Sequence, residues 1–178
     1  INSKEAQKEC EEYLGYKIKI AKDIPFIAGS VDKAWIGNCV SMGVSSTFIE
    51  PLEASSIATS IQQTFLLMHL LINYTEEDIN LYNKKFDQIV QNTLDFIVLH
   101  YLVNKNNSKF WKELKINLPP SLEKNLKKWK NRLPIQEDFE GNYQLFNEHN
   151  FTIILKELGL FDRLKIKKEF DTLSNAFK

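Results

Sequence analysis

The chain has 178 residues, and 23 Lys+Arg against 23 Asp+Glu give it a formal net charge of zero, which argues against a dedicated nucleic-acid or membrane-surface binder with its basic excess. At 43% apolar and 26% charged residues, the composition is that of an ordinary globular protein with one core, or one core and an appendage. Two cysteines, Cys10 and Cys39, are too few for a disulfide-rich scaffold, so the reducing cytoplasm is the expected setting.

Residues 1–15 read as a short amphipathic helix stopped by Gly15. Their charge is unlike a signal peptide. The sequence opens at Ile1 with no methionine, so a processed chain or a piece of a longer one is expected. Residues 16–20 alternate as a strand does, and 25–30 and 34–42 are two more strand candidates, with Val31-Asp32-Lys33 as the turn between them. From Glu53 the pattern becomes helical. Ile57, Ile61, Phe65, Met68 and Ile72 fall on one face and are expected to be buried.

Asn73-Tyr74 ends that helix, and Thr75 is the N-cap of the next, with Glu76, Glu77 and Asp78 favouring the positive end of its dipole. The spacing predicts a helix over 76–103 burying Ile79, Tyr82, Phe86, Ile89, Val90, Thr93, Phe96, Ile97 and Tyr101. Short helices are expected over 108–114 and 122–131, a loop over 134–144, and final helices over 150–158, closed by Gly159, and 165–177. The whole is a mainly α fold with a few N-terminal strands.

Generic catalytic patterns are weak. No G-x-G-x-x-G or Walker A is present. Gly43-Val44-Ser45-Ser46-Thr47 lacks the last glycine of a nucleophile elbow, and Ser30-Val31-Asp32-Lys33 has no companion motifs for an S-x-x-K enzyme. His69, His100 and His149 are far apart, so no metal site is expected. Residues 105–133 carry nine basic groups against two acids, with Trp111 and Trp129 interleaved. Eight of the nine are lysine, which fits a solvated face with inward tryptophans better than a nucleic-acid patch. The apolar runs 65–72 and 96–103 are interrupted by histidines and fall short of the roughly 20 residues that span a bilayer.

Residues 35–57, W-I-G-N-C-V-S-M-G-V-S-S-T-F-I-E-P-L-E-A-S-S-I, hold the most information. A strand ends near Gly43, a polar turn leads through Glu50-Pro51-Leu52-Glu53, and a helix begins with small residues. A helix start carries unpaired N–H groups and partial positive charge, so it can hold an anion. Read locally, Ser55 and Ser56 either line such a site beside the Glu53 carboxylate or merely cap the helix.

This stretch resembles the G-N-C-V-A-x-G-x-A-x-x-F-x-E-P-L-E-x-T-x-I segment of flavin-dependent halogenases of the tryptophan halogenase family, best at Phe48-Ile49-Glu50-Pro51-Leu52-Glu53. His100-Tyr101 followed by Phe110-Trp111 is similar to the family's H-Y…F-W pattern, and Pro120-Ser121-Leu122 through Trp129 and Leu145-Phe146 through Gly159 resemble later stretches, with Phe151 where Trp is common. The resemblance implies the C-terminal part of an α+β, flavin-monooxygenase-like halogenase fold, divided into 1–52, the end of a flavin-binding module, and 53–178, a helical substrate module.

In that family reduced FAD, supplied by a separate flavin reductase, reacts with oxygen and halide to give hypohalous acid. A lysine then presents the halogen to an electron-rich arene. The resemblance implies that Glu53 is the catalytic carboxylate, that Ser55 and Ser56 stand at the halide site, and that Val44 and Ile57 pack on or near the flavin. A small aromatic such as tryptophan or another indole is the implied substrate, and a homo-oligomer is expected where the chain acts as an interaction module.

The family's nucleotide-binding glycines, its W-x-W-x-I-P signature and its catalytic lysine are not in this sequence, and Lys22 and Lys33 do not match that lysine's context. Ser30 stands where a basic residue often follows the glycine. The isolated chain is therefore expected neither to hold FAD tightly nor to halogenate. Two other readings stand beside this one: a non-catalytic helical interaction module of the same descent, and a flavin monooxygenase relative without halide chemistry.

Overall fold

The computed structural model describes residues 2–103, 108–141 and 143–176. Helix α1, Ser3–Leu14, opens on a capping box between Asn2 and Glu5 and closes on Gly15 at φ +76°. Residues 16–28 then run as largely exposed chain, tied to α1 where Gln7 and Glu11 bond the carbonyl and amide of half-buried Ile18. Their alternation finds no neighbouring strand, and an unpaired strand leaves its backbone groups to water. The expected strand over 16–20 is therefore absent, and that over 25–30 is reduced to β1, Gly29–Ser30.

The expected strand over 34–42 is instead a hairpin of β2, Trp35–Ile36, and β3, Cys39–Val40, in antiparallel register. Its two-residue loop is Gly37-Asn38, with Gly37 at φ +56°, the positive φ that tight hairpin loops need. Strand β1 pairs with β4, Thr47–Phe48, so residues 31–33 do not join two paired strands.

Helix α2 is Ser55–Leu70 and helix α3 is Glu76–His100, about 37 Å long at 1.5 Å per residue. Thr75 and Asp78 form the capping box that starts α3. Helices α4, Lys109–Glu113, α5, Pro120–Trp129, α6, Glu148–Glu157, and α7, Arg163–Ala176, follow. Lys105 of the basic stretch and Phe177 of the last expected helix lie outside the described residues.

Helix α3 is the axis of the fold, and each half of it serves a separate core. Ile79, Tyr82 and Phe86 pack with Ala34, Trp35 and Leu66. Phe96 and Leu99 pack with Leu122, Trp129, Phe146, Phe151 and Leu155. Polar side chains peg the loops to this axis. Asn83 accepts from the Trp35 amide at 2.9 Å and donates to the Trp35 carbonyl at 2.8 Å. Asn92 accepts from the amides of Leu145 and Phe146 and donates to the Phe146 carbonyl.

Within the expected loop over 134–144, Asp138 is a hub. It accepts from Trp129 Nε1, Lys128, Arg132 and the Ile135 amide. Burial pushes its carboxyl up, but these hydrogen bonds together outweigh that and hold it well below the usual carboxylate range.

One expectation is reversed. Ile57, Ile61, Phe65, Met68 and Ile72 are exposed, not buried, at 67%, 52%, 58%, 64% and 81%. The buried face of α2 is Ser55, Thr59, Gln63 and Leu66. On that face Gln63 bonds to the main chain of residues 41–46, the strap, at the Gly43 amide and the Ser41 carbonyl, partners that an apolar side chain cannot supply.

Candidate active site

The strap reaches α2 through Gly43, whose positive φ of +60° and missing side chain suit the approach. A Cβ there would lie 3.0 Å from Ser60 Oγ. Ser45 and Ser46 are spent on local bonds to the Met42 and Gly43 carbonyls, with no base beside them, so the strap is a structural turn. Val44 projects from it at 69% exposure.

The chain then enters the turn 50–54. Glu53 and Ala54 are both left-handed, at φ +56° and +51°. Neither is glycine, and each such residue costs about 1–2 kcal/mol. Three interactions brace the turn. The Ser55 amide donates to the Leu52 carbonyl, closing a short 3-10 helix over Leu52–Ala54. Ser55 Oγ donates to the Glu50 carbonyl at 3.2 Å, and Tyr101 Oη donates to Glu50 Oε1 and Oε2 at 2.7 and 2.8 Å. The Tyr101 phenol is pushed up to about 12, first by its hydrogen bond to Glu50, then by burial and by the charge of that carboxylate. The Glu53 side chain is left exposed.

Helix α2 starts directly after this turn. Its N-cap is Ala54, which offers no side-chain acceptor, and its first turn carries no acid. A 16-residue helix with such an entrance keeps its dipole unopposed by a side-chain cap or a first-turn acid, although the Ser55 amide is already donated to the Leu52 carbonyl. Ser55 is buried and Ser56 half-buried. Both line a cavity of about 10 Å³ together with Thr47, Thr59 and Thr93, closed by Ile49 and Val90. That is room for one water-sized particle among hydroxyls. Ile57 follows, 67% exposed.

The structure thus brings Glu53, Ser55, Ser56 and Ile57 together at one helix entrance, with Val44 on the neighbouring strap. Sequence reasoning missed Glu50 and Tyr101 as partners. Both stand in the motifs quoted above, but no periodicity links residues 51 apart. It also missed Asp95, buried on α3, which accepts from Gln91 and from Ser121 at the start of α5. Burial pushes the Asp95 carboxyl up to about 6, against those two hydrogen bonds. No group of three or more His, Cys, Asp or Glu that could hold a metal occurs among the described residues, and no helix there is long and apolar enough to cross a membrane.

A family model described as tryptophan halogenase matches residues 1–168. Tryptophan 6-halogenase SttH of Streptomyces toxytricini is 29% identical over 163 residues, 87% of this chain and 31% of that protein. Tryptophan 7-halogenase RebH of Lentzea aerocolonigenes is 27% identical, over 77% of this chain and 29% of its own. The chain superposes on BrvH, a flavin-dependent halogenase from Brevundimonas sp. BAL3, with a TM-score of 0.77 and 27% identity, covering 90% of this chain and 33% of that one. The chain therefore spans about a third of the length of these relatives. By the family match over nearly its whole length, and by a fold shared with solved halogenases, this chain belongs to the tryptophan halogenase family.

Proposed function

We propose that this chain is the C-terminal portion of an FAD-dependent halogenase acting on an electron-rich aromatic such as tryptophan or another indole. Residues 1–52 would end its flavin-binding module and 53–178 form its helical substrate module. The observation that carries this reading is the exposed Glu53 carboxylate on a braced left-handed turn, next to a helix start without a side-chain cap, where Ser55 and Ser56 line a hydroxyl-rich cavity.

Reduced FAD, provided by a separate reductase, supplies the oxidised halogen from oxygen and halide when bound. The residues present fit the edge of such a site. Val44 and Ile57 offer exposed apolar side chains to a flavin ring, and the entrance of α2 offers amides and hydroxyls to a halide. The dinucleotide cradle and the lysine that presents the halogen lie outside this sequence. Glu53 has two tasks here. Its charge offsets the cationic ring formed when the arene carbon bonds to halogen, and a carboxylate oxygen then takes the proton from that carbon as the C–H electrons return to the ring.

Assay of the flavin-loaded protein containing this chain, with a flavin reductase, bromide and an indole, tests the reading. A product bearing the bromine isotope pattern supports it, flavin turnover that yields a hydroxylated arene points to the monooxygenase alternative, and an unaltered arene contradicts the reading. The exposed apolar face of α2 favours a second reading, an interaction module that self-associates. A monomer by light scattering at high concentration counts against that second reading. A cytoplasmic setting belongs to the proposal and accords with two free cysteines, Cys10 and Cys39.

A further inference from the structure

A carboxylate that must reach one ring carbon has to be held in place, and Glu53 sits on a backbone that resists being held. Two successive left-handed residues without glycine persist only where the surroundings over-determine them. Within the turn the Ser55 amide donates to the Leu52 carbonyl, and two side-chain ties hold it from outside. On the exit side of the turn, Ser55 Oγ bonds back to the Glu50 carbonyl. On the entry side, both oxygens of the Glu50 carboxylate receive the Tyr101 hydroxyl. Tyr101 is the C-cap residue of α3, the axis on which both cores are built. Glu50 is therefore tied at its side chain to the rigid body of the fold and at its main chain to the start of α2.

We propose that Glu50 and Tyr101 are positioning residues, a clasp that holds the turn 50–54 so that the Glu53 carboxylate stays in register with the substrate ring. Neither is expected to touch the reacting atoms. A hydrogen bond from a phenol to an ionised carboxylate is among the stronger kinds, and both partners are half-buried, so water competes with it less than on an open surface. The same bond displaces the Tyr101 phenol upward, keeping it protonated as the donor. The proposal rests on the assignment of Glu53 as the catalytic carboxylate.

The test compares Tyr101→Phe, Glu50→Ala and Glu50→Gln in the halogenating holoenzyme that contains this chain. Loss of the clasp should lower kcat for halogenation by about tenfold or more, as misplacement of a catalytic group does, while KM for the aromatic and the rate of reduced-flavin oxidation stay within about twofold. Glu50→Gln keeps an acceptor for the phenol and should recover most of the loss seen in Glu50→Ala. A double variant, Tyr101→Phe with Glu50→Ala, should be no worse than either single change, because both remove one interaction.

Equal kcat in Tyr101→Phe and wild type, or losses that multiply in the double variant, would overturn the clasp. A second readout is independent of turnover. A crystal structure of the Tyr101→Phe chain should show the Glu53 carboxylate displaced or residues 53–54 out of the left-handed region. An unchanged turn there overturns the clasp whatever the activity. If the wild-type holoenzyme makes no halogenated product, the halogenase reading fails, and the structure of the variant still decides whether the clasp holds the turn.

Discussion

The side-chain oxygen of Gln63, on α2, lies 3.1 Å from the main-chain nitrogen of Gly43, on the strap, and accepts its hydrogen. The same oxygen accepts from Ser46 Oγ at 3.1 Å, and the Gln63 nitrogen donates to the Ser41 carbonyl and to Tyr82 Oη. One fully buried amide thus pegs both ends of the strap to the helical body. Replacing it with Leu leaves the Gly43 amide without its acceptor and the Ser41 carbonyl without its donor, while the Ser46 hydroxyl keeps the Gly43 carbonyl. Since each such loss costs about 1–3 kcal/mol, Gln63→Leu should destabilise the chain by roughly 2–4 kcal/mol in urea unfolding. Wild-type stability in that variant would contradict the role given to Gln63.

Neighbours on α2 should behave oppositely. Leu66 is 3% exposed within the core around Tyr82 and Phe86, whereas Phe65 is 58% exposed. Leu66→Ala should cost about 2–5 kcal/mol by emptying packed space. Phe65→Ala should fall within about 0.5 kcal/mol of wild type, as exposed positions do. Thermal or urea unfolding of the two variants checks this, and the reverse order would restore the buried stripe that the sequence spacing suggests.

Asp95 gives the chain a pH signature. Its carboxyl is pushed up to about 6 in the folded chain against an ordinary 3.8, so between these values the folded chain binds more protons than the unfolded one. Stability is then fully present below about pH 4 as far as this group is concerned, and declines as pH rises to 6, by at most about 3 kcal/mol. Asp138 is displaced the other way, and its contribution is lost only as pH falls below its unfolded value. Asp95→Asn should flatten the profile between pH 4 and 6 and leave the acid limb in place. An unchanged slope between pH 4 and 6 in that variant would show that Asp95 does not carry it.

The fold was legible where local chemistry decides it. Thr75 with Asp78, Gly15 and Gly159 mark helix ends because caps are short-range devices, and the buried stripe of α3 follows its spacing because that helix packs on both cores. The failures have a common cause. Residues 16–20 alternate but find no partner strand, and α2 turns a polar face inward because the strap's main chain needs partners there. Neither fact is local. At the site, spacing alone left Ser55 and Ser56 open between cap and anion site. Glu53 acquired its role from the resemblance, and the Glu50–Tyr101 pair became visible only when the end of α3 met the turn.

In the proposed reaction Glu53 does the proton chemistry of halogenation. Glu53→Gln in the flavin-loaded protein containing this chain keeps the size of the side chain and removes its charge and basicity. Halogenated product should fall to background while FAD binding and reduced-flavin oxidation remain at wild-type levels. Product formation by Glu53→Gln at the wild-type rate would contradict the account.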